Sequence, residues 1–250
     1  GALCALGWDH DTRMQKAKQY FVDSNPLGDY TFPIISLVKS KIIDRCIKSS
    51  FGDVQIEDLW LNYFCVSANL TTSKLIVHDR GPLWKASRAS ISLPGILVPV
   101  LNQNCLLVDG GVINNLPADI MRERFGGFIM VVNVSPEQDV RMPSMYDIIP
   151  SAWAYIWSRL NPFKDKIVIP TILDIMMRTI LLSSINQANR VKDDADHYFD
   201  PPIDQFGLLD FKSLNEISTA GYTYAKQEIE DWKQLSEELW EFKLGQCLLE

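Results

Sequence analysis

The stretch with the most chemical content is "LLVDGGVINNLPADI", Leu106 to Ile120, where Asp109 precedes Gly110 and Gly111. A carboxylate followed by two glycines has two readings. Asp-Gly between apolar runs signals a hairpin, because the central turn residues need positive φ and glycine adopts it at no steric cost. The other reading is a working acid. A strand ends, two glycines turn the chain tightly, and a helix starts near Leu116 with Pro117 suited to its first turn. The carboxylate then sits at the end of a sheet strand, where α/β proteins place their sites. Local sequence leaves both readings open.

A working carboxylate needs a partner, and few groups offer one. Ser87, Ser90 and Ser92 lie in "KASRASISLPGILVPV", but none is flanked by the glycines of a nucleophile elbow, and no Gly-x-Ser-x-Gly occurs in the 250 residues. Arg88, in the same segment, could anchor a loop or meet a phosphate. His10, His78 and His197 are far apart and lack a local catalytic context, so all three read as structural or surface residues. The five cysteines are widely spaced with no Cys-x-x-Cys pair. They read as buried thiols in a reducing compartment, with no disulfide framework, no metal and no cofactor expected. Neither Gly-x-Gly-x-x-Gly nor a phosphate-binding loop is present, which sets a nucleotide-binding domain aside. The net charge of −7 excludes a phosphate-tracking surface, and with it nucleic acid as a partner.

These groups must be positioned by a fold, and 250 residues with 47% hydrophobic content can bury a sizeable core. Gly1 to Leu6 reads as the last turns of a small-residue helix stopped by Gly7. The chain is therefore expected to be a piece of a larger protein that begins inside a helix. "DTRMQKAKQYFVDS" reads as a helix, and a second helix stops near Gly52. Two β-rich runs cover 63–69 and 74–78, a short helix precedes Pro94, and "CLLVDGG" is a strand running into a turn. "LPADIMRERFGG" is a helix ended by glycines. "FIMVVNVSP" reads as a strand buried on both faces. Alternating strands and helices predict an α/β fold with a largely parallel sheet. From about residue 140 the chain reads as helical. The apolar run Ile167 to Ile185 is interrupted by Pro170, Asp174 and Arg178, so it reads as a helix laid on the core rather than a membrane span.

Five segments in order resemble the patatin-like phospholipases, in the branch of neuropathy target esterase and its bacterial relatives. They are "VQIEDLWLNYF", "KASRASISLPGILVPV", "LLVDGGVINNLPADI", "SRLNPF" and "PPIDQFGLLDF", and together they span nearly the whole chain. The resemblance implies a patatin-type three-layer α/β/α sandwich, here the C-terminal part of one catalytic domain over 1–250, N-terminally truncated. It implies ester hydrolysis by a Ser–Asp dyad without histidine, with Asp109 matching the proton-accepting aspartate of the family's Asp-Gly-Gly motif with Gly110 and Gly111. Arg88 and Ser90 become substrate-pocket candidates. The implied partners are a phospholipid or lysophospholipid substrate and a membrane surface, with the protein at the cytoplasmic face of a membrane or in the cytoplasm.

The resemblance also fixes what must be explained. A free aspartate is a weak base, and burial against residues such as Leu107 and Val108 is expected to raise its pKa. Gly110 and Gly111 are expected to let backbone approach unobstructed. "GALCAL" matches the helix just after the elbow, a few residues past the nucleophile. The serine and the Gly-rich oxyanion loop are then expected upstream, and the 250 residues alone are expected to be inactive. Asn133 stands in "VVNVSP" where the family often has Asp. The competing reading is a catalytically silent relative that keeps the fold for binding or scaffolding.

Overall fold

Short connections decide the pairing of the strands. In the computed structural model, residues 1–135, 195–207 and 209–233 are described, with the backbone of the last helix continuing to 247 and scattered positions between 151 and 192. Strand β1 (Cys65–Asn69) turns back on β2 (Lys74–His78). The Asn69 side chain accepts hydrogen bonds from the N–H groups of Thr71 and Thr72 at 2.9 and 3.3 Å, and Asn69 faces Lys74 across the ladder. Strand β3 (Val100–Asn102) turns back on β4 (Cys105–Asp109) through Gln103 and Asn104. Their φ values are +46° and +64°, so both central turn residues have positive φ, as a two-residue hairpin requires.

The four strands form one sheet in the order β2-β1-β4-β3, antiparallel throughout. This corrects the expected largely parallel sheet for the described residues. Parallel neighbours need a crossover of roughly a dozen residues or more, so the short turns force β1–β2 and β3–β4 to be antiparallel; β1 and β4, joined by the longer connection through α4, run antiparallel as well. The only parallel pair among the described residues joins β5 (Met130–Val132) to β6 (His197–Phe199). Strand β5 was expected to be buried on both faces, yet only Val131 is buried, with Met130 and Val132 more than half exposed. Among the described residues it pairs with β6 alone.

Helices cover the sheet through faces visible in their spacing. Helices α1 (Ala2–Ala5) and α2 (His10–Ala17) flank Gly7, which ends α1 at φ +75°. Asp9 caps α2 by accepting from the N–H of Thr12 at 2.8 Å. A π-helical turn over Lys18–Asp23 follows directly. Helix α3 (Lys41–Phe51) presents Ile43, Ile47 and Phe51, four residues apart, to the interior, and Gly52 ends it at φ +51°. Helix α4 (Leu83–Ser90) buries Leu83, Ala86 and Ala89; the small residues let it lie close to β1 and α3. Helix α5 (Ala118–Phe125) starts after Pro117 and stops at Gly126. Helix α6 (Leu214–Cys247) closes the chain. "SRLNPF", most of the run Ile167 to Ile185 and most of the helical extension between 140 and 194 lie outside the described residues. Among those described, no helix is long and apolar enough to cross a membrane.

Candidate active site

Asp109 is the last residue of β4 and the first of a tight 3₁₀ turn over Gly110–Val112. Its backbone is held on two sides. Across the sheet it faces Ser67 of β1, and its N–H donates to the Ser92 carbonyl at 2.9 Å. Its Oδ1 accepts from the Gly111 N–H at 2.7 Å, which leaves Oδ2 without a hydrogen-bond partner among the described residues. Burial pushes the Asp109 carboxyl up to about 6, against the opposing pull of the Gly111 N–H.

The glycines are there for close approach, not for a hairpin. Neither Gly110 nor Gly111 has positive φ; the hairpin lies six residues earlier, at Gln103 and Asn104. A Cβ on Gly110 would sit 2.5 Å from the Val66 carbonyl oxygen, so any side chain would force β1 and β4 apart. A Cβ on Gly111 would come to 3.0 Å from Asn115 Oδ1 and 3.1 Å from Asp109 Oδ1, crowding the carboxylate itself. Beyond the turn, Asn115 donates to Ser135 Oγ at 2.9 Å. The Ser135 N–H donates to Asn133 Oδ1 at 3.1 Å, and Asn133 donates to Asp200 Oδ1 at 3.1 Å. Asn133 is thus the buried middle link of a chain of hydrogen bonds that steadies the turn from behind.

The carboxylate looks into an apolar cavity of about 220 Å³, lined by ten apolar side chains and Asp109. A second cavity of about 290 Å³ lies alongside, bordered by Gly1 to Leu3, Ser87 and Ser90. Ser90 therefore lines a cavity, while Ser87 Oγ is buried in the same wall without a well-formed hydrogen bond. Arg88 points the other way. The residue is 4% exposed, and its guanidinium donates to Asp44 Oδ1 at 2.5 Å, Ser92 Oγ at 2.6 Å and the Val98 carbonyl at 2.9 Å. Ser92 Oγ in turn donates to the Arg88 carbonyl at 2.7 Å. Arg88 thereby fixes the residue whose carbonyl receives the Asp109 N–H.

One pairing escaped sequence reasoning. Ser67 Oγ and His78 Nε2 lie 2.8 Å apart, the contact of a nucleophile with its base. Ser67, however, is 0% exposed, sits mid-strand without elbow glycines, and belongs to neither cavity. Burial holds His78 below its ordinary value and hence neutral. The pair pins β1 to β2 and has no access to a substrate. Only strand register brings Ser67 and His78 onto one face, so sequence spacing gave no signal. His10 is exposed and His197 packs against Phe199 and Trp232. No cluster of three or more metal-ligating side chains occurs among the described residues.

Comparison with known proteins adds what geometry alone does not. The patatin-like phospholipase family model matches residues 1–122, a span that includes Asp109. A lysophospholipase from Candida albicans is 39% identical over 83% of this chain and 15% of its own length. Patatin-like phospholipase domain-containing protein 6 from Homo sapiens is 37% identical over 94% of this chain and 18% of its own length. A neuropathy target esterase from Drosophila melanogaster is 34% identical over 92% of this chain and 17% of its own. The chain thus spans less than a fifth of the length of each of these relatives.

Proposed function

The chain belongs to the patatin-like phospholipase family, in the branch that includes neuropathy target esterase, and on that premise we propose that Asp109 is the general base of a carboxylic-ester hydrolase acting on phospholipids or lysophospholipids. The observation that supports this most is the setting of Asp109: a carboxylate with a raised pKa on the wall of an apolar cavity. Such an acid is a stronger base than a solvated one and is still ionised at neutral pH. The hydroxyl it serves belongs to a serine carried by chain outside these 250 residues.

The steps follow from that pairing. Asp109 takes the serine proton as the serine oxygen attacks the acyl carbonyl carbon. The tetrahedral intermediate collapses, the carbon–oxygen bond to the glycerol side breaks, and Asp109 returns its proton to the leaving alkoxide. Water then attacks the acyl-enzyme with Asp109 accepting its proton. The fatty acid leaves and the serine oxygen regains a proton. Gly111 holds Oδ1 through its N–H, so that one carboxylate oxygen is fixed while the other shuttles the proton. Ser90 borders the space for the acyl group, and Arg88 keeps the base in place through Ser92. The reaction takes place at a membrane surface that presents the lipid.

The test uses a protein that extends upstream of this chain through the serine. Fatty-acid release from a lysophospholipid is measured with Asp109 intact and as Asp109→Asn. The expected loss is on the order of 10²–10⁴-fold. Retained turnover in the variant overturns the assignment of the base. If the parent protein itself releases no fatty acid from any phospholipid, the silent binding module is the correct reading.

A further inference from the structure

The two cavities share three walls. Phe21, Ile43 and Ile91 line both of them. Ligand pockets occupy roughly 300–1,000 Å³; at about 290 and 220 Å³ each cavity alone falls below that range, and joined they fall inside it. No charged side chain lines the first cavity, and Asp109 is the only one in the second. A headgroup phosphate finds no cation to pair with there, only neutral hydroxyls such as those of Ser87 and Ser90, and would lose most of its hydration. A flexible hydrocarbon loses nothing by entering, and it can bend through a narrow passage where a rigid ring cannot.

We propose that the two cavities are the halves of one acyl-chain channel, and that Phe21 and Ile91 form the partition that sets how long an acyl chain the site takes. This rests on the hydrolase reading above. Ile43, the third shared wall, is 8% exposed and locked into a cluster with Val38, Ile96 and Leu97. The other two stand where the backbone is less regular. Phe21 lies in the π-helical turn Lys18–Asp23; such wide turns are rare and concentrate at functional sites. Its ring leans on Phe211 at 5.4 Å between centroids, so it has a neighbour on the second-cavity side. Ile91 caps α4 at φ −103° and ψ 8°, just past the last helical turn, and the next residue, Ser92, is the one whose carbonyl holds the Asp109 N–H. The partition and the backbone anchor of the base are therefore consecutive residues. An acyl chain whose carbonyl sits beside Asp109 starts on the Asp109 side and, on passing Ile91, enters the Ser90 side; one too short to reach Ile91 is indifferent to it.

The experiment varies chain length against partition size in the protein extended upstream through the serine. The substrates are p-nitrophenyl butyrate, octanoate and palmitate. Ile91→Trp fills the passage, and Ile91→Ala and Phe21→Ala widen it. For Ile91→Trp, kcat/KM on palmitate is expected to fall at least about tenfold further than on butyrate, the loss of roughly two buried methylenes. The two alanine variants are expected to shift preference toward the longer ester. Ile91→Phe and Phe21→Trp replace Ile91→Trp if that variant does not fold. A second readout needs no chemistry: binding of a fluorescent long-chain fatty acid to the Asp109→Asn protein, with and without the passage filled, where filling is expected to weaken binding about tenfold. The channel is overturned if filling the passage lowers turnover by one common factor at every chain length, or if the fatty acid binds as it does to the parent. Absence of all ester cleavage, with fatty-acid binding still dependent on Ile91, overturns the hydrolase reading and leaves the channel standing.

Discussion

At the scale of the residue, Asp109 ties pH to both rate and stability. Its folded pKa of about 6 lies above the ordinary value of 3.8, so folding favours the protonated acid. Its contribution to stability is full below about pH 4 and is lost as pH rises through 6. In the proposed mechanism catalysis runs the opposite way, since Asp109 as base must be ionised. We expect kcat/KM to rise with pH through an apparent pKa near 6, a limb that titration of initial rates would show and a flat profile would refute. Asp109→Asn keeps an acceptor for the Gly111 N–H and removes the buried charge. It should abolish turnover yet raise stability at pH 7, by up to about 3 kcal/mol from a two-unit shift, read as a higher melting temperature. The two glycines divide the same territory. Gly110→Ala meets backbone at 2.5 Å and should cost about 1–3 kcal/mol, read as a drop of about 2–4 °C in Tm for each kcal/mol. Gly111→Ala meets side-chain ends at 3.0 Å or more; it should change Tm far less and depress kcat/KM by crowding the carboxylate.

At the scale of the element, α4 and the loop after it act as a bracket for β4. Arg88 reaches α3 through Asp44, the loop through Val98, and β4 indirectly through Ser92. A planar guanidinium can serve three directions at once, and an ammonium cannot. Arg88→Lys is therefore expected to lower stability by about 1–3 kcal/mol through unmet buried partners, and to lower kcat more than it raises KM because the base loses its anchor. Chemical denaturation together with steady-state kinetics would check both. Equal loss in kcat/KM through KM alone would return Arg88 to contact with the headgroup. The helices of this bracket were legible from sequence, since Gly52 and Pro94 with Gly95 punctuate them. Their mutual contact was not: Asp44 and Arg88 are 44 residues apart, and no periodicity reports which helix face meets which.

At the scale of the whole molecule, the question is how the chain meets lipid. An aromatic face with Trp153 and Trp157 four residues apart reads from sequence first as a face packed on the core, and alternatively as a docking element beside Arg159 and Lys164. Of these, Trp157 is among the described residues, at 63% exposed. A net charge of −7 provides no broad attraction to anionic lipid, so docking depends on aromatic insertion at the interface. Trp157→Ala is expected to weaken liposome binding severalfold without lowering Tm, because an exposed ring contributes little packing. A Tm loss of the size that accompanies truncation of a buried Trp, about 3–5 kcal/mol, would place the ring in the core instead.

What the sequence determined by itself was local. It contained the helix stops, the strand ending in Asp109, the glycines after it, and the order of five segments that resemble one family. Each of these depends on neighbours in the chain, where backbone sterics and side-chain periodicity act directly. The tertiary structure decided that the hairpin turn is Gln103-Asn104, which sequence reading did not mark, and not Asp109-Gly110. It decided that the strands around the site run antiparallel. It also decided that Arg88 is spent on Asp44, Ser92 and Val98, and that the buried Ser67 hydroxyl meets His78 Nε2 across the β1–β2 pair. The cavity beside Asp109 draws its walls from Phe21 to Phe211. Burial by residues so distant in sequence is what raises the Asp109 pKa, so the basicity proposed for Asp109 is a property of the packed molecule and not of its motif.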